Sequence, residues 1–154
     1  MNRYEEKLKK FINDKNISAE YLSFKQSCHS VEDAARVANT SIDNLVKNIC
    51  MIDHEGNLIV AVVKGEDRAS TSRVGKILSI EQPRVATEDE ILAKAGYPCG
   101  GIPSFGFAAI FLLDPKVMEK EVLYSSGGSE YSLIKIATKE LQKANNGIIA
   151  RIRK

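Results

Sequence analysis

The sequence predicts an α+β domain with a mixed, barrel-like β-sheet and flanking helices. Three observations carry that expectation. Short apolar, β-branched runs at residues 45–52, 58–63, 108–113 and 132–137 read as strands, and amphipathic stretches between them read as helices. Their order lacks the regular strand–helix–strand alternation of a parallel sheet. At 154 residues the chain can bury one sizeable core, and no repeat, linker or low-complexity segment divides it. Residues 1–154 are therefore expected to form a single domain, with residues 1–29 as an N-terminal helix and lead-in.

Each element has its own signal. In residues 3–15, Tyr4, Leu8, Phe11 and Ile12 fall on one side at helical spacing. Residues 18–25 contain a short extended piece. Ser30-Val31-Glu32-Asp33 opens a helix running through Ala38, with the serine as N-cap. The runs 45–52 and 58–63 flank Asp53-His54-Glu55-Gly56-Asn57, the pattern of a hairpin. Residues 71–78 suit a helix, and Thr87-Glu88-Asp89-Glu90 caps another that stops at Gly96. Strands follow at 108–113, 121–125 and 132–137. A helix begins near Thr138 with Gly147 as its stop, and residues 148–152 would close the sheet.

Bulk properties narrow the function classes. A net charge of +2 permits contact with RNA, yet the chain has no dense basic block of the kind that forms a nucleic-acid arm. No apolar run approaches the roughly 20 residues a membrane span needs. The first residues, Met1-Asn2-Arg3-Tyr4-Glu5-Glu6-Lys7, are too charged for a secretion signal. Cys28, Cys50 and Cys99 are odd in number and widely spaced, which argues against a disulfide framework and favours a reducing cytoplasm. His29 and His54 lie apart from any carboxylate cluster, so no metal site and no cofactor are expected.

Four segments could carry chemistry. Gly96-Tyr97-Pro98-Cys99-Gly100-Gly101-Ile102-Pro103-Ser104-Phe105-Gly106 holds four glycines and two prolines, a composition that excludes a helix or central strand. A shaped loop with bare N–H groups could hold a carbonyl, carboxylate or phosphate, or serve only as a wide turn. Lys47 heads an apolar strand and shares a face with Ile49 and Met51. It either meets a ligand there or snorkels into water from an exposed strand end. Ser125-Ser126-Gly127-Gly128-Ser129 is either a hairpin turn or an oxyanion-binding segment. Cys99 would need a base to act as a nucleophile, and none is local. Arg68 and Arg73 could reach phosphates, though a solvated helix face explains them as well.

Together, Lys47 on its strand, Gly96-Tyr97 with Gly100-Gly101-Ile102-Pro103-Ser104-Phe105-Gly106, and Tyr124-Ser125-Ser126-Gly127-Gly128 resemble the YbaK/EbsC family of trans-editing aminoacyl-tRNA deacylases. That family is related to the editing domain inserted in some prolyl-tRNA synthetases. The resemblance runs from about the Ser30 helix to the C-terminus. It implies a barrel-like mixed sheet and hydrolysis of the ester joining a wrong, small amino acid to the 3′ end of a tRNA, often that for proline. By the same resemblance Lys47, Gly100 and Gly101 would be catalytic. Ile102, Pro103, Ser104, Ser126 and Gly128 would bind substrate, with aminoacyl-tRNA and prolyl-tRNA synthetase as partners.

One departure stands out. Many relatives read G-G-I-P-P-F-G, whereas this chain has Ser104 at the second proline position. Loss of that ring would loosen the strip facing the aminoacyl group, change the amino acid accepted, or mark a member whose activity has drifted. The competing expectation is therefore a non-catalytic module that binds an aminoacyl-tRNA end or a synthetase. A cysteine hydrolase using Cys99 is a third.

Overall fold

A computed structural model describes residues 1–154. The eight strands divide into two sheets. Strands β1 (Ala19–Ser23), β6 (Val122–Ser126) and β7 (Ser132–Ala137) form an antiparallel sheet in the order β1-β7-β6. Strands β2 (Val46–Ile52), β3 (Leu58–Lys64), β4 (Arg84–Val85), β5 (Ile110–Leu113) and β8 (Ile148–Ile149) form the second, in the order β4-β2-β3-β5-β8. In that sheet β2 pairs antiparallel with β3 and β4, while β3–β5 and β5–β8 are parallel, so it is mixed as expected. A single parallel bridge, Leu45 to Tyr124, ties the two sheets together next to the start of β2.

The local signals explain the helices. Helix α1 (Arg3–Asp14) begins with a capping box in which the Asn2 side chain accepts from Glu5 N–H and Glu5 accepts from Asn2 N–H, and it buries Leu8 and Ile12. Ser30 caps α2 (Val31–Val37) and Ser70 caps α3 (Thr71–Leu78). Thr87 and Glu90 make a second capping box on α4 (Glu88–Ala95), which ends at Gly96 with φ of 78°. A short helix, α5 (Pro115–Met118), starts at Asp114, and α6 (Thr138–Asn145) follows β7 without a break.

Three local readings differ from the sequence expectation. The stop of α6 is Asn146, in the left-handed conformation at φ of 53°, rather than Gly147. An amide side chain tolerates that conformation better than most residues do. The closing strand is only Ile148–Ile149, because Asp114 captures the chain beyond it. Asp114, with no solvent exposure, accepts from the N–H groups of Ile152 (3.0 Å) and Arg153 (3.1 Å) and from the Arg153 guanidinium (2.8 Å). The glycine-rich loop also contains one 3-10 turn, Cys99–Gly101, where no helical turn was expected.

The main core lies between the sheets. It joins Val46, Cys50 and Ile52 of β2 and Val60 and Val62 of β3 to Leu123, Ile134 and Ile136 of the other sheet. Leu8 from α1 and Tyr97, Ile102 and Phe105 from the glycine loop complete it. Each such side chain contributes about 1.5–3 kcal/mol by leaving water. The opposite face of β2 and β3 packs Met51, Ile59, Ala61 and Val63 against Val74 of α3 and Ile152. The loop expected to hold the site is thus anchored by fully buried Phe105 and nearly buried Ile102.

Candidate active site

Strand β2 sets the site because its two faces diverge at Lys47 and Asn48. Asn48 lies on the face of Val46 and Cys50, toward the main core, and Lys47 on the face of Ile49 and Met51. Beside the Leu45–Tyr124 bridge that joins the two sheets lies a cavity of about 500 Å³. Its wall combines β2 (Lys47, Asn48), the glycine loop (Pro98, Cys99, Gly100, Ile102), β6 (Tyr124, Ser125, Ser126), the segment Cys28–Ser30 and the acidic residues Glu88 and Glu130. Lys47 is half-buried and is the only lysine or arginine in the wall. None of the ion pairs in the molecule involves it. Opposite charge is near at hand: Glu130 sits over Gly100 and pairs with His29, Nδ1 to Oε1 at 3.0 Å.

The expected site residues separate into two groups. Lys47, Gly100, Ile102 and Ser126 all border the cavity. Gly101, Pro103, Ser104 and Gly128 lie buried behind it. The Gly101 N–H donates to the Pro98 carbonyl at 3.0 Å, and its carbonyl accepts from Gly128 N–H at 2.9 Å. Gly128, at φ of 101°, has the backbone of Tyr4 against its other side, where a Cβ would sit 3.0 Å from the Tyr4 carbonyl oxygen. These glycines permit the loop, the β6–β7 turn and α1 to approach backbone to backbone. Gly100 is exposed at the cavity rim, and as a leading residue of the 3-10 turn its N–H has no partner within that turn.

Behind the wall, Ser104 has no solvent exposure and is fully hydrogen-bonded. Its hydroxyl donates to Asn48 Oδ1 at 2.6 Å and lies 2.7 Å from Ser125 Oγ. Asn48 Nδ2 donates to the Ile102 carbonyl at 3.0 Å and to Ser125 Oγ at 3.1 Å. Asn145 Nδ2, from the end of α6, donates to the Ser104 carbonyl at 3.0 Å. The strip 102–104 is therefore pinned at two carbonyls and one hydroxyl. Asn48 was not singled out from the sequence, and Ser125 only as part of the segment 125–129. The available signal was a carboxamide on the inward face of an otherwise apolar strand, which needs partners.

The thiols are poorly suited to nucleophilic work. Burial, then the Glu88 carboxylate, pushes the Cys99 thiol above its ordinary value. Burial, then Asp33, does the same at Cys28, and burial raises Cys50 to about 12. A reactive cysteine needs the opposite shift. No hydrogen bond joins His29 to Cys99, and no group of three or more His, Cys, Asp or Glu side chains is placed to hold a metal ion.

Residues 25–144 match the sequence profile of the aminoacyl-tRNA editing domain, which spans every wall element of this cavity. The chain belongs to the aminoacyl-tRNA editing domain family. The resemblance to YbaK/EbsC proteins is thereby borne out, and with it the reaction class: hydrolysis of a mischarged aminoacyl-tRNA ester. No curated protein matches the chain in sequence. Its fold is shared with a solved structure described as a candidate trans-editing enzyme for prolyl-tRNA synthetase, at TM-score 0.92 and 17% identity over 100% of this chain and 99% of that one. A protein described only as hypothetical matches at TM-score 0.88 and 22% identity, over 96% and 99% of the two chains. A structure from work on computational grafting of epitopes onto scaffold proteins matches at TM-score 0.91 and 16% identity, over 100% and 99%. The editing-domain fold is thus present over the whole length, including α1 and the C-terminal strap. No helix is long and apolar enough to cross a membrane.

Proposed function

We propose that this editing domain acts in trans, removing a small amino acid from the 3′ end of a mischarged tRNA bound in the Lys47 cavity. The observation that carries the proposal is the convergence of Lys47, Gly100, Ile102 and Ser126, from three separate segments, on one cavity of about 500 Å³. That volume lies within the roughly 300–1,000 Å³ of small-molecule sites and suits an aminoacylated adenosine. An aminoacyl ester is already activated, so the protein's task is to position it and to stabilise charge as it develops. The Gly100 N–H orients the ester carbonyl. The Lys47 ammonium holds the terminal phosphate or the developing oxyanion. Gly101 and Gly128 act through packing, by fixing where the Gly100 amide points.

In the reaction a water oxygen bonds to the carbonyl carbon and the carbon–oxygen bond to the ribose breaks. The water's proton passes to the departing ribose oxygen, with a neighbouring ribose hydroxyl or the substrate amine as relay. The family membership of the chain and its likeness to a candidate trans-editing enzyme support a tRNA for proline as the carrier and prolyl-tRNA synthetase as the companion enzyme.

Deacylation of tRNA for proline charged with alanine, serine, cysteine or threonine tests the reading. Lys47→Ala is expected to lower turnover by on the order of 100-fold or more while the circular dichroism spectrum and melting temperature stay unchanged. A Lys47→Ala protein that deacylates at the wild-type rate would remove this lysine from the reaction.

A further inference from the structure

The hydrogen bonds among Asn48, Ser104 and Ser125 admit only one arrangement of protons. The Ile102 carbonyl can only accept, so the Asn48 atom 3.0 Å from it is the amide nitrogen, and this settles which way the carboxamide faces. Asn48 Oδ1 can then only accept, and it takes the Ser104 hydroxyl hydrogen at 2.6 Å. The 2.7 Å contact between the two serine oxygens is left for the Ser125 hydrogen, which points at Ser104 Oγ. Asn48 Nδ2 closes the ring by donating its second hydrogen to Ser125 Oγ at 3.1 Å. Every polar hydrogen of the three side chains is thus committed, one to the Ile102 carbonyl and the other three within the ring.

Two members of that ring, Asn48 and Ser125, border the cavity, and the third, Ser104, does not. All that the side chains of these two residues, Ser125 itself almost fully buried, have left to offer a ligand is lone pairs. We infer that the ring makes this part of the cavity wall an acceptor-only surface, selecting amino acids whose side chain carries a hydrogen-bond donor over apolar ones of equal size. Ser104 is then a specificity-determining residue that acts through its neighbours, by keeping the Ser125 hydrogen turned away from the cavity. The α-ammonium is common to all aminoacyl esters, so it contributes nothing to this discrimination. An apolar side chain would leave desolvated lone pairs without a partner, whereas a hydroxyl or thiol would satisfy one of them. The inference rests on the proposal that the aminoacyl group enters this cavity.

The test uses one tRNA charged in turn with serine, with alanine and with 2-aminobutyrate, which replaces the serine hydroxyl by a methyl of similar size. For the wild-type protein kcat/KM is expected to favour the seryl ester over the 2-aminobutyryl ester by on the order of 10-fold or more, the equivalent of one hydrogen bond. In Ser104→Ala the ring opens, the Ser125 hydroxyl is free to turn outward, and the ratio should fall toward one. Ser125→Ala provides the same reading if Ser104→Ala does not fold, because it removes one of the two acceptors directly. A wild-type ratio within twofold of one would overturn the inference. So would a folded variant that loses activity equally on all three esters, since that is the signature of a merely structural role. Failure of the cavity assignment itself has a different signature, namely Lys47→Ala retaining full activity on every ester.

Discussion

The Gly101 carbonyl accepts a hydrogen bond from the Gly128 N–H at 2.9 Å, and the approach is so close that Gly101 has no room for a side chain. A Cβ on Gly101 would stand 2.4 Å from both the Gly128 carbonyl carbon and the Ser129 nitrogen, which are backbone atoms that cannot step aside. On Gly100 the corresponding atom would meet only the Glu130 carboxylate, at 3.3 Å, and that side chain can swing away.

Adjacent glycines should therefore respond oppositely to alanine. Gly101→Ala is expected to lose about 1–3 kcal/mol or more of unfolding free energy through overpacking, read as a lower midpoint in urea. Gly100→Ala should unfold within a few tenths of a kcal/mol of wild type and show its defect in kcat/KM. Equal midpoints for the two variants would contradict this account of the loop.

How much of this was legible beforehand depended on the range of the interaction. Helix caps are local, so Ser30, Thr87 and Gly96 announced α2 and α4. The β2–β3 hairpin followed from its alternation around a polar turn. Lys47, Gly100, Ile102 and Ser126 were recognisable as a set only through a family pattern, because their meeting depends on how β2, β6 and the glycine loop are brought together in the fold. The ring through Asn48, Ser104 and Ser125 escaped notice, since it joins residues separated by 21 to 77 positions. Strand β4 was also missed: two residues, Arg84 and Val85, carry no periodicity and pair only because β2 offers an edge.

Cys99 stands at the rim of the cavity, where burial and the Glu88 carboxylate raise its thiol and so disfavour the thiolate a nucleophile needs. Cys99→Ser should deacylate at a rate within about twofold of wild type, corresponding to roughly 0.4 kcal/mol of barrier. Alkylation of Cys99 should slow the protein only by bulk, and Cys99→Ser should resist the reagent. Loss of turnover in the serine variant of 100-fold or more would instead reinstate a thiol mechanism.

Asp114 makes stability depend on acid. Its burial favours the neutral carboxyl, but the N–H groups of Lys116, Ile152 and Arg153 together with the Arg153 guanidinium outweigh this and hold it below its ordinary 3.8. A carboxyl depressed on folding contributes stability that is complete above its unfolded value and disappears as pH falls through the folded one. Asp114→Asn should therefore lower the melting temperature at pH 7, by on the order of 2 kcal/mol in stability. The gap from wild type should shrink as pH drops below about 4. A constant gap between pH 7 and pH 3 would argue against the charged clamp.

The N-terminal helix bears on the cavity end of the molecule although it contributes nothing to the cavity wall. Glu5 both completes the α1 cap and accepts from the Ser129 hydroxyl at 2.9 Å, while the Tyr4 backbone lies against Gly128. The match to the editing-domain family begins only at residue 25. A version trimmed to that boundary would retain every wall residue and yet lack the brace behind the β6–β7 turn. Shortened proteins of that kind should bind the charged tRNA end loosely and lose the register of the Gly100 amide, so swapping the first helix between relatives becomes a way to tune the catalyst from behind.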